Sequence, residues 1–290
     1  MKGKIFTGTK LFLLSLLIGL MIVLPVSAQS YTFTQLDVSD NLHSTVAYGI
    51  SNDGRVVGQY FFEGFPPYNT PQGFIYNNGT YTKYIPTGSS DTALMDINSA
   101  GTFVGRYVRN GAIRGIPINY LWYTTTIWKI NELGEMLVRT IQRSGGKSVS
   151  REYIYDGQTF NLLTLPGTGY SSFGMNDARD IVGIYYPGGG QASRGFFYNG
   201  STTTTFLYPN SVQTWARGIN SDKKIVGTYC LNWTYATNSC LQDHGFIYQD
   251  GVFTSFDYPG ASSTILQDIN DAGQIVGTFN GKHGFIATPA

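Results

Sequence analysis

The sequence predicts an all-β chain folded as a six-bladed β-propeller, closed by its own N-terminal strand. Three observations carry this. A short motif recurs six times at near-blade spacing. Gly, Tyr, Phe and Thr abound, while charged residues make up 13% of the chain, a composition suited to many short strands and tight turns. The last copy of the motif also lacks an outer strand that the N-terminus has to spare. A five-bladed or incomplete ring is the alternative.

The first 28 of the 290 residues read as a secretory signal peptide. Lys2, Lys4 and Lys10 precede an apolar run from Leu11 to Leu24, and Val26-Ser27-Ala28 offers small residues for cleavage after Ala28. The run is shorter than the ~20 residues a membrane span needs, Pro25 ends it, and no second apolar run follows. The expectation is therefore a secreted or periplasmic protein with no transmembrane segment in the mature chain. Cleavage removes three lysines and no acids, leaving 16 basic and 18 acidic residues. That balance, without a basic block, gives nucleic acid no electrostatic foothold. Cys230 and Cys240 lie in one loop and are expected to form a disulfide.

Each copy of the motif centres on an Ile-Asn-like pair, a turn with Gly, and a Val-Gly-x-Tyr run. Ile50-Ser51 to Tyr60 and Ile269-Asn270 to Phe279 are the clearest. Anchors at Ile50, Ile97, Ile130, Met175, Ile219 and Ile269 stand 47, 33, 45, 44 and 50 residues apart, mostly the length of a four-stranded blade. Strand a ends at the anchor pair, and strand b is the Val-Gly-x-Tyr run, whose Gly permits close backbone approach. Strand c is Gly-Phe-Ile-Tyr, as in Gly73–Tyr76 and Gly245–Tyr248. Asn78-Gly79 and Asp250-Gly251 then give the left-handed pair of a tight hairpin, leading to a Thr- and aromatic-rich strand d. After the last strand c the chain stops, whereas Tyr31 to Val38 resembles an unpaired strand d. Pairing the two would close the ring and remove an exposed edge. Blade two is expected to be irregular: too few residues separate Tyr107 from Ile130, and Pro117 falls in the expected strand c.

Asp-Ile-Asn-x-x-Gly-x-Ile-Val-Gly, followed by His244-Gly245-Phe246 and His283-Gly284-Phe285, resembles the HAF-repeat family of exported bacterial proteins. The resemblance implies a secreted propeller-type repeat protein and brings no catalytic residues with it.

The residues preceding the strand-c Gly position are Gln72, Arg114, Arg151, Arg194, His244 and His283. A structural role is expected for them, each satisfying backbone or a strand-a neighbour such as Asp96 or Asp268. Of the acids, only Asp40, Glu63, Asp91 and Asp243 fall in the b-to-c and d-to-a loops, the face where propellers usually place sites. Asp53, Asp177, Asp222, Asp250 and Asp271 look like turn chemistry on the other face. No Ser-His-acid set is evident, so no catalytic residue, cofactor or metal site is assigned. Aromatic residues instead crowd the loop face: Phe61, Phe62, Tyr68, Tyr170, Tyr186, Trp215, Trp233 and Tyr235 are the candidate ligand-binding residues. Exposed rings suit a glycan or a cell-surface protein; rings folded back onto the blades are the equal alternative. The expected function is a non-enzymatic binding or scaffold module, and the alternative is a carbohydrate-active enzyme using the same face.

Overall fold

The computed structural model describes residues 30–38, 43–62, 70–118, 124–234 and 239–290. The signal-peptide assignment, Asp40, Glu63, Tyr68 and Tyr235 lie outside the described residues; Phe62 and His43 are described as backbone only.

Six antiparallel sheets form a six-bladed propeller, with strand a innermost in each. Blade one runs His43–Ile50, Val56–Phe62, Gln72–Asn77 and Thr80–Tyr84 outward from the axis. Blades three, four and five begin at Thr124–Ile130, Tyr170–Met175 and Gln213–Ile219 and follow the same order. Blade six takes strands a to c from Thr264–Ile269, Ile275–Phe279 and His283–Pro289. Its outer strand is Tyr31–Leu36, paired antiparallel from Tyr31 opposite Pro289 to Leu36 opposite Gly284. The first strand of the ring therefore completes its last blade. Leu36 is buried, and Phe33 packs on Phe256, Tyr258 and Phe285.

Blade two has three strands among the described residues: Asp91–Ile97, Phe103–Arg109 and Ala112–Ile116. Strand c stops just before Pro117, which has no N–H for a ladder. In blade three, Glu152 stands where other blades have the strand-c Gly. Its carboxylate accepts hydrogen bonds from Arg139 Nε at 2.9 Å and from Ser172 N at 3.2 Å, the latter in blade four. The Gly145-Gly146 stretch is the two-residue turn of the blade-three b–c hairpin.

The strand-b Gly has a specific steric cause. A Cβ on Gly58 would lie 1.9 Å from the Val46 carbonyl oxygen and 2.8 Å from the Phe74 ring. The space it leaves is filled from within its own blade, not from the neighbouring sheet. Phe74, Phe196, Phe246 and Phe285 are the fully buried strand-c rings that occupy it.

The anchor Asn does more than turn the chain. Asn176 Oδ1 accepts the N–H of Asp180, closing its own a–b turn, while Nδ2 donates to the Asn220 carbonyl of the next blade at 3.1 Å. The same inter-blade donation runs from Asn98 to Asn131, Asn131 to Asn176, Asn220 to Asn270 and Asn270 to Ser51. A nearly closed circle of amides thus ties each blade to the next around the axis. Asp177 and Asp271, expected as turn residues, likewise accept N–H groups of Glu132 and Ser221 in the preceding blades.

Three of the residues before the strand-c Gly position, Gln72, His244 and His283, have side-chain partners, none of them on strand a; Gln72 accepts from the Tyr60 hydroxyl on strand b. His244 Nδ1 lies 2.8 Å from Asp257, and His283 Nδ1 lies 3.1 Å from Asp37. Both acids follow strand d, the true neighbour of strand c. Asp96 and Asp268 instead accept the N–H groups of Ile130 and Ile50 in the next blades.

Candidate functional site

Every strand a carries a β-bulge at the same place, two residues before the anchor. The a–b register slips past Tyr48, Met95, Trp128, Phe173, Arg217 and Gln267, one per blade. A bulge re-aims its side chain out of the pleat, and these six side chains line the central channel on the loop face, around a space of about 50 Å³. Trp128 meets Phe173 edge-on at 5.3 Å, and Arg139 lies over both rings.

Lys129 closes the channel beneath them. It lines both the loop-face space and the opposite mouth near Asn52, Glu132 and Asp177. Its ammonium is 2.5 Å from Asp268 Oδ2 and 3.3 Å from Asp96 Oδ1, and both carboxylates are 1% exposed. Burial pushes the Asp96 carboxyl up to about 7; Lys129 opposes the shift and Asp268 adds to it. The Lys129 ammonium is raised, because the carboxylates of Asp268 and Asp96 outweigh the opposing effect of its burial.

Beside the channel, between blades five and six, lies a cavity of about 240 Å³. Trp215, Arg217, Tyr229, Trp233, Asp243 and the Cys230–Cys240 disulfide form its wall, with Ile265 of blade six. The b–c connection of blade five builds this wall. Trp233 sits on a two-residue ribbon strand, Trp233–Thr234, paired with Ser239–Cys240. The disulfide fastens that ribbon to the end of strand b, so Trp233 is held rather than left on a free loop.

Arg217 belongs to both the channel and the cavity. Its guanidinium lies 5.0 Å from the Trp215 ring, and Nη1 donates to Gln267 Oε1 at 3.3 Å. Burial lowers its pKa, and Asp243, Tyr48 and Tyr186 oppose the shift. Burial raises the Asp243 carboxyl, with Arg217 and then His244 pulling it back down. The two charges sense each other, yet no direct ion pair joins them. Trp215 Nε1 and Arg217 Nε are both shielded from solvent without a hydrogen-bond partner.

Among the sequence candidates, Trp215 and Trp233 meet in this cavity. Trp215 lies in strand a rather than in the preceding loop, as does Tyr170. Tyr186 is 49% exposed just after strand b of blade four. Tyr170 stacks on Tyr185 at 4.6 Å and meets Phe196 edge-on, so it packs on its own blade. Phe61 is half-buried opposite Ser44. Of the loop-face acids, Asp91 pairs with Arg106 in blade two, across the ring from Asp243. Sequence reasoning missed Arg217 and the other bulge residues. Their one signal was variability: Tyr, Met, Trp, Phe, Arg and Gln fill one position of an otherwise repeated run.

No helix among the described residues is long and apolar enough to cross a membrane. No family model and no curated protein matches the chain. Several solved structures are similar in fold. The β-propeller domain of the Trilobed protease from Pyrococcus furiosus, which has an open velcro topology, aligns with TM-score 0.47 at 9% identity over 84% of this chain and 81% of that one. A catalytically inactive virginiamycin B lyase from Staphylococcus aureus, solved with quinupristin, gives TM-score 0.44 at 12% identity over 90% of this chain and 100% of that one. Aleuria aurantia lectin in complex with Fucα1-6GlcNAc gives 0.44 at 10% identity over 85% and 96%.

Proposed function

We propose that this chain is an exported, non-enzymatic binding module of HAF-repeat type that captures its ligand on the loop face, in the cavity of blade five. One observation carries this: Trp215 and Trp233 converge with Arg217 and Asp243 around a single cavity. Aromatic faces supply contact area and the charged pair supplies orientation, the usual division of labour in a ligand pocket. The unpartnered Trp215 Nε1 and Arg217 Nε support it. A buried polar group without a partner costs about 1–3 kcal/mol, and a ligand that draws these side chains outward would relieve that cost. Export is supported by the signal-like residues 1–28 and by the disulfide, which persists in oxidising compartments. The test is a screen of glycan and surface-protein arrays, repeated with Trp233→Ala and Trp215→Ala. Specific binding weakened at least tenfold by either change is expected. Ligands whose affinity neither change alters would overturn the assignment.

A further inference from the structure

The cavity also constrains what enters it, given the binding role above. At about 240 Å³ it falls short of the roughly 300–1,000 Å³ that drug-sized ligands occupy, so it admits one ring-sized unit. It does not end there. Trp233 and Gln213 also line a second, open groove of about 710 Å³, which passes Ser193, Ser211 and Asn232 toward blade four. A ligand with one unit in the cavity therefore has a path for further units on the far side of Trp233.

Charge narrows the class. The wall holds one guanidinium, Arg217, and one carboxylate, Asp243, close enough to influence each other but not ion-paired. An acidic ligand meets repulsion at Asp243, and an ammonium meets it at Arg217. A hydroxyl both donates and accepts, so two adjacent hydroxyls on one ring can donate to Asp243 and accept from Arg217 together. The C–H face of such a ring suits the indole walls. We propose that the cavity binds the terminal ring of an uncharged oligosaccharide, with neighbouring hydroxyls bridging Asp243 and Arg217 and the following units laid in the groove beyond Trp233.

Titration calorimetry on the purified chain tests this, using neutral gluco-, galacto- and mannotrioses, their uronic-acid and amino-sugar counterparts, and the parent monosaccharides. At least one neutral trisaccharide should bind about tenfold or more tightly than both charged counterparts and than its monosaccharide, on the scale of one mispaired polar contact. Asp243→Asn, with thermal unfolding checked against the parent, should remove most of the discrimination against the uronic form. A charged counterpart binding as well as the neutral trisaccharide, or no neutral trisaccharide binding at all, would overturn the proposal. If a charged or peptide ligand binds instead and Trp233→Ala abolishes it, the binding role stands and only this ligand class falls. If no ligand responds to Trp233→Ala, the binding role itself falls.

Discussion

Replacing Lys129 by methionine isolates the charge cluster that closes the channel. The substitution keeps most of the side-chain volume and removes the only cation among the described residues in contact with Asp96 and Asp268, each 1% exposed. Breaking a buried pair by deleting one partner costs about 3–5 kcal/mol, because the remaining charge is left uncompensated. For a domain of this size, roughly 2–4 °C per kcal/mol converts this to a Tm lower by about 6–20 °C. The pH dependence is the sharper readout. Asp96 sits at about 7 in the folded protein against an ordinary 3.8. Between those values the folded state holds a proton that the unfolded state has released. Its contribution is therefore full below the ordinary value and is lost as pH rises through about 7. Without Lys129 the Asp96 carboxylate keeps the backbone N–H groups of Ile130 and Ile97 but loses its opposing cation, and its carboxyl moves further up. The deficit of Lys129→Met should thus be largest above neutrality and shrink toward acid, as the Asp96 carboxyl takes up its proton. Urea unfolding of both proteins at about pH 8 and pH 4.5 measures this directly. A deficit below about 1 kcal/mol at the higher pH, or one equal at both, would refute the placement of these three charges in a common buried cluster.

Deleting residues 30–37 should remove the outer strand of blade six and bare a sheet edge; a truncated chain as monomeric and heat-stable as the parent by light scattering would refute closure through this strand. Asn176→Ala removes one inter-blade donor and one turn acceptor, and denaturant unfolding should show a loss of about 1–3 kcal/mol; a change within about 0.5 kcal/mol would mean the amide circle is dispensable. Mass spectrometry without reductant should find no free thiol, and replacing Cys230 and Cys240 together by serine should cost about 2–3 kcal/mol and weaken ligand binding, since the bond holds the Trp233 ribbon; unchanged affinity would separate the disulfide from the site.

The ring was legible in the sequence because its signals are local. Turn glycines, Asn-Gly and Asp-Gly hairpins and the Val-Gly-x-Tyr run each depend on a few adjacent residues. Asn78 and Gly79 do adopt the left-handed pair, with φ of 45° and 85°. The spare N-terminal strand was legible by similarity to the other strands d, down to Asp37, which matches Asp257 and meets His283 as Asp257 meets His244. The sequence offers backbone or a strand-a acid as the partner of each histidine, and the structure gives an acid after strand d instead. The blade order itself excludes a strand-a partner, since strand b intervenes between a and c. The sequence places the anchor Asn at the end of strand a but carries no signal of its inter-blade bond, because the acceptor lies in the adjacent blade, some 33 to 50 residues away. The bulges left only the variability of one position. A bulge is a property of the pairing between two strands, and variability at one position does not reveal that pairing.

The anchor Asn amides that the repeat supplies find partners in the next blade, whereas the side chains around the blade-five cavity do not follow the repeat. Blade five diverges on the loop face: it has the Cys230–Cys240 ribbon, an Arg at the bulge and Trp215 two residues before it. The corresponding bulge residues elsewhere are Tyr48, Met95, Trp128, Phe173 and Gln267, and among the described residues no other blade carries a comparable ribbon. The cavity therefore follows from features that occur once, not from the repeat. A ligand read by the repeat would bind at several equivalent inter-blade positions, with a stoichiometry approaching the blade number. A ligand read by blade five binds once per chain. Calorimetric stoichiometry near one, lost together with affinity in Trp233→Ala, is the expected result. Several equivalent sites, or binding that survives disruption of the blade-five wall, would place recognition in the repeated frame instead.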